Sequence, residues 1–159
     1  MNAHKGDDPD DNNNQAHQQT PGLRVGSQQI HNQQIHNQQS VFDTLGGTPW
    51  FVGLIDRFYT KVETDQLLRP LYPEDLTESR DHMVKFLVQY WGGPGTYSQQ
   101  RGHPRLRMRH APFPIGVAER DAWFNHMVEA LNESNPPADI KQQMVEHFDR
   151  AATHMINTN

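Results

Sequence analysis

Residues 101–116 read Arg-Gly-His-Pro-Arg-Leu-Arg-Met-Arg-His-Ala-Pro-Phe-Pro-Ile-Gly, and the way this stretch folds decides the rest of the chain. It holds two histidines, four arginines and no acid, within a chain of net charge −5. One reading is a neutral imidazole presented to a metal, with guanidinium groups beside it to hold a carboxylate. The other is a basic loop, solvated or touching phosphate. On this segment alone the basic loop is the commoner case. The backbone is equally two-sided. Arg105-Leu106-Arg107-Met108-Arg109 alternates polar and apolar as a strand does, although no partner strand is evident. Read as a helix, it places Leu106 and His110 one turn apart on one face. Pro112 biases Ala111 out of helical geometry, so such a helix ends near His110 and leaves the imidazole before a stiff exit.

Outward from this stretch the apolar spacing is helical. Thr48 followed by Pro49 is a helix start, a capping residue and then proline at the first helical position. Trp50, Phe51, Leu54, Ile55, Phe58, Tyr59 and Val62 then recur on one face. Tyr72-Pro73-Glu74-Asp75 interrupts the pattern. A second helix is expected from about Thr77 to Trp91, stopped by Gly92-Gly93-Pro94. A third begins near Gly116 and carries Trp123, Phe124, Met127, Val128 and Leu131. After Asn135-Pro136-Pro137 a last helix carries Ile140, Met144, Phe148, Ala151 and Met155. Periodicity alone gives a mostly helical bundle.

Composition divides the chain near residue 40. Residues 1–40 contain no aromatic, an Asp/Asn-rich run at 7–14 and a tandem Ile-His-Asn-Gln-Gln at 30–39. Such a segment buries too little apolar surface to offset its ordering entropy, so 1–40 is expected to be a disordered polar extension and 41–159 the folded domain. Its histidines His4, His17, His31 and His36 read as ordinary polar residues rather than a dedicated metal site. Cysteine is absent, which excludes disulfides, thiolate catalysis and cysteine-ligated metal. No apolar run reaches spanning length and no signal-peptide core opens the chain, so a cytoplasmic protein without a membrane partner is expected. The negative balance argues against broad nucleic-acid binding.

Four blocks in order carry a family resemblance: Leu-Tyr-Pro-Glu-Asp at 71–75, Gln-Tyr-Trp-Gly-Gly-Pro at 89–94, the basic stretch at 101–110, and Glu-Arg-Asp-Ala-Trp at 119–123. From about Phe42 to about Met155 the chain resembles the truncated haemoglobins, group II in particular. The resemblance implies an all-α, two-over-two helical sandwich with the stretch before His110 helical. It also implies one haem, held non-covalently as haem b because no Cys-x-x-Cys-His attachment motif is present.

What the resemblance implies about single residues follows the same positions. His110 matches the proximal iron ligand; its free ring nitrogen should donate to a carbonyl, for which Leu106, four residues earlier, is placed. His103 is the rival, but it precedes Pro104 and lies outside the matched position. Arg109 matches an arginine that holds a haem propionate; Arg107, Tyr97 and His82 are weaker candidates for the same work. Tyr59, Tyr72 and Trp123 match polar aromatics over the bound gas, although each taken alone is an ordinary core aromatic. Ser79 and Met83 match the two distal-helix positions facing the ligand, and Phe86, Phe113 and Ile115 are expected to wall the haem. His126, His147 and His154 fall on amphipathic helices, where packed or solvated histidine is the usual case.

The implied function is reversible binding of dioxygen and other small ligands such as carbon monoxide, nitric oxide or sulfide. Two alternatives stand beside it. One is a haem enzyme, a peroxidase or a nitric oxide dioxygenase served by a separate reductase, since no flavin or nicotinamide domain is visible. The other is a helical interaction module using 101–110 as a basic patch. Oligomeric state is not legible in the sequence.

Overall fold

A computed structural model describes residues 38–159. The expected polar extension at 1–40 falls almost wholly outside these residues. The described chain forms seven α-helices: α1 Val41–Thr44, α2 Thr48–Thr64, α3 Thr77–Tyr90, α4 Thr96–Arg101, α5 Leu106–His110, α6 Val117–Glu133 and α7 Ala138–Met155. A 3₁₀ turn at Arg69–Leu71 links α2 to α3. Among the described residues there is no strand, so the alternation at 105–109 resolves as the helix α5.

The long helices form two crossed layers. α2 packs against both α3 and α6, and α6 packs against α7. The core is the face of α2 that the spacing marked: Phe51, Leu54, Ile55, Phe58, Tyr59 and Val62 are all buried. Met127, Ala130 and Leu131 of α6 and Ile140, Met144 and Phe148 of α7 close over it. This is the two-over-two sandwich. Within α3 only Leu87 and Val88 are buried, because much of the apolar face of that helix is turned toward a cavity instead.

The start of α2 differs from expectation by one residue. Gly47 is the cap, Thr48 is the first helical residue and Pro49 the second. Gly46 and Gly47 hold φ of 91° and 82°, which bring the chain sharply from α1 into α2, a turn costly for a residue with a side chain. The Gly92-Gly93 stop has a tertiary cause as well as a local one. A Cβ on Gly93 would lie 2.7 Å from both Phe42 Cδ2 and Val88 Cγ1, so glycine lets α1 seat on the end of α3.

Candidate functional site

One cavity of about 380 Å³ lies between α3, α5, α6 and α7. Its size suits a small-molecule or cofactor site. Twelve of the residues that the sequence offers as site candidates line it: Tyr59, Tyr72, Ser79, His82, Met83, Phe86, Tyr97, Arg109, His110, Phe113, Ile115 and Trp123. His103 and Arg107 do not. His103 is exposed and its Nδ1 accepts the Arg105 N–H at 3.3 Å, which shapes the loop entering α5. Arg107 donates through Nη1 to the carbonyls of His154 and, at 3.3 Å, Ile156, tying α5 to the end of α7.

α5 is short because of its ends. Arg105 adopts the left-handed conformation at φ 44°, which turns the chain after Pro104, and Pro112 stops the helix beyond His110. The last turn holds the imidazole. His110 Nδ1 lies 2.7 Å from the Leu106 carbonyl, so in the neutral ring Nδ1 carries the proton and Nε2 the lone pair. This is the arrangement of a ring prepared to ligate a metal.

Another part of the lining is aromatic and polar. The rings of Tyr59 and Tyr72 meet edge to face at 5.7 Å, and Trp123 packs on Phe58 at 5.4 Å and Phe148 at 6.1 Å. Burial pushes the Tyr72 phenol up to about 12, while the neighbouring Trp123 indole N–H works in the other direction. The Tyr59 phenol is raised too, by burial first and then by Tyr72, with Arg80 opposing. Both phenols therefore remain hydrogen-bond donors at neutral pH. Ser79 and Met83 complete this wall from α3.

The rim is cationic. Arg109 donates through Nε to Pro104 O at 2.8 Å and through Nη2 to Arg101 O at 2.9 Å, so part of its guanidinium folds the loop while the residue lines the cavity. Two rim residues were not singled out in the sequence. Arg101 Nη1 rests against the His82 ring, 2.6 Å from Nε2 and 2.9 Å from Nδ1, and Arg101 Nε is buried without a partner. A guanidinium offers donors only, so it is met by a lone pair of the neutral His82 ring; the His82 pKa is lowered by burial first and then by Arg101, with Glu78 opposing. The signal for Arg101 was its place one turn after Tyr97 on α4. His147 also lines the cavity, with its ring centroid 4.0 Å from that of Tyr90. Burial, then Arg150, lowers its pKa. The spacing of His147, Ala151 and Met155, all cavity residues four apart on α7, was the available sign.

A fold of this kind around a histidine-bearing cavity is that of a globin. A family model for bacterial-like globins matches residues 40–157. The chain is 40% identical over 104 residues to the group 2 truncated hemoglobin YjbI of Bacillus subtilis, covering 65% of this chain and 79% of that protein. The crystal structure of a hemoglobin from Chloroflexus aurantiacus is similar at a TM-score of 0.74 and 50% identity, covering 76% of this chain and 99% of that one. A truncated oxygen-avid haemoglobin from Bacillus subtilis is similar at a TM-score of 0.71 and 36% identity, covering 75% and 100%. The chain belongs to the bacterial-like globin family, as a truncated haemoglobin of group II, and is a haem-binding globin.

The residues present fit a haem. The cavity walls are largely apolar, one imidazole stands ready with a lone pair, and the unpartnered Arg101 Nε marks a place for a carboxylate. No helix among the described residues is long and apolar enough to cross a membrane.

Proposed function

We propose that this globin holds one haem b through His110 and binds dioxygen, with other small ligands, on the side of Trp123, Tyr72 and Tyr59. The reading is supported by one largely apolar cavity that is lined both by an imidazole with Nδ1 2.7 Å from Leu106 O and by three donor-bearing aromatics. When bound, the haem iron supplies an open coordination position for reversible ligand binding. His110 anchors it, and its bond to Leu106 fixes the tautomer and the ring plane. Arg109, Arg101, His82 and Tyr97 receive the carboxylates at the rim. Met83, Phe86 and Phe113 exclude water from the macrocycle's faces. Trp123, Tyr72 and Tyr59 donate to the negative end of a polarised ligand, and Ser79, being small, leaves room beside it. Absence of cysteine supports the non-covalent attachment. A relative described as oxygen-avid supports the choice of ligand.

The basic-patch alternative loses its footing in this arrangement. Arg101, Arg107 and Arg109 are engaged with His82, with α7 carbonyls and with loop carbonyls, and are not a row of solvated cations. His110→Ala tests the proposed function. We expect the variant to lose the Soret band or bind haem only weakly, whereas His103→Ala keeps a five- or six-coordinate spectrum. The reverse outcome overturns the proximal assignment.

A further inference from the structure

The loop after His110 is short of donors. Pro112 and Pro114 bring no N–H, so the carbonyls around them depend on groups from elsewhere. The His110 carbonyl accepts the Phe113 N–H at 3.0 Å within the loop, and the other contacts come from the segment that follows α7. The Asn157 side chain donates through Nδ2 to Phe113 O at 2.9 Å and to His110 O at 3.3 Å. Its Oδ1 accepts the Ile115 N–H at 3.0 Å, a contact that also sets which end of the amide is which. Its backbone N–H donates to Ile115 O at 2.9 Å, and the Thr158 N–H donates to the same oxygen at 3.1 Å. One residue thus spans both ends of the proline loop and reaches the carbonyl of His110 itself.

We infer that Asn157 is a positioning residue that sets the orientation of the His110 ring through the loop between them. This rests on the reading of His110 as the iron ligand. The ring is aimed from two sides. Leu106 O fixes its tautomer from within α5, and Asn157 fixes the backbone that carries it, since the loop cannot shift without breaking three side-chain hydrogen bonds at once. Arg107, which joins α5 to the carbonyl of Ile156, holds the same two segments together from the other side. The α7 terminus therefore acts as a clasp on the ligand loop, closed by a side chain 47 residues away from the histidine.

Asn157→Ala removes all three side-chain bonds. Asn157→Asp keeps the acceptor for Ile115 N–H and loses the donors to His110 O and Phe113 O, so it isolates the part that touches the ligand's backbone. The readout is the iron–histidine stretching band of the ferrous, gas-free protein, with haem release to an acceptor globin measured beside it. Both variants should shift or broaden the band and release haem faster, on the order of tenfold for loss of an outer partner of a metal ligand. Amide hydrogen exchange of Ala111, Phe113, Ile115 and Gly116 in the haem-free protein should quicken in both, a readout independent of haem. Asn159→Ala is the control. If band and release match the parent, or if melting falls with an unchanged band, Asn157 is only a structural tie and the inference fails. Loss of the proximal assignment would show separately, as haem retained by His110→Ala.

Discussion

At the scale of single residues, Trp123 and Tyr72 show why burial alone does not decide a role. Both are half-buried, since one side of each faces the cavity while the other packs on the core. Trp123→Phe keeps most of the ring bulk and removes the N–H. A hydrogen bond to a partly charged acceptor contributes about 1.5–3 kcal/mol, so dioxygen release should quicken by roughly ten- to a hundredfold in stopped-flow measurements. Carbon monoxide, a poorer acceptor, should respond less, and equal effects on both gases would point to altered packing. Tyr72 has a pH signature. Its phenol titrates near 10 in an unfolded chain and is pushed up to about 12 here. The folded state thus holds the proton more tightly, and its advantage is fully present below pH 10. It is lost as pH rises from about 10 to 12. Tyr72→Phe should therefore lose stability less steeply over that range than the parent, in denaturant titrations at fixed pH. Tyr59, raised in the same direction, leaves part of the slope in place.

Between elements, close approach carries the argument. The Gly92-Gly93 pair was legible in the sequence as a helix stop, but not as a docking surface. Gly92 has φ of 100°, and a Cβ there would sit 2.7 Å from Ser40 Cβ. At Gly93 the same Cβ strikes Phe42 and Val88. Gly93→Ala should lower stability by about 1–3 kcal/mol through overpacking, read as a lower melting temperature by circular dichroism. A change below a few tenths of that would show that α1 moves aside at no cost. Helix α5 gives the opposite lesson. Its existence was ambiguous from alternation alone, because five residues carry too few periods to separate 2 from 3.6. Its end at His110 was legible, because proline acts locally.

For the molecule as a whole, the boundary between extension and domain invites a direct test. Residues 1–37 carry no aromatic, and Ser40 accepts the Asp43 N–H at 3.1 Å as the cap of α1. Deleting 1–37 should leave the absorption spectrum and melting temperature nearly unchanged. Extending the deletion through Ser40 should cost about 1 kcal/mol for the lost cap; a large loss from the shorter deletion would mean that the extension packs on the domain. The four long helices and their apolar faces were legible in the sequence, as were the stops at Gly92-Gly93 and Asn135-Pro136-Pro137, because periodicity, proline and glycine act within a turn or two; α2 ends at Thr64, ahead of the interruption at 72–75 that the sequence marks. The candidate site was legible where motif order carried it: His110, Arg109, the three aromatics and the α3 positions all line one cavity. Arg101 escaped notice since its significance is an unpartnered Nε beside His82, a contact across 19 residues. His147 read as an ordinary helix histidine until α7 crossed the cavity beside α3. Asn157, past the last helix and polar among polar neighbours, carried no signal at all. By itself the sequence determined the four long helices and which motif residues belong together. Only the tertiary structure decided which polar groups meet. Such pairings depend on where distant helices end in space, and no local pattern encodes that.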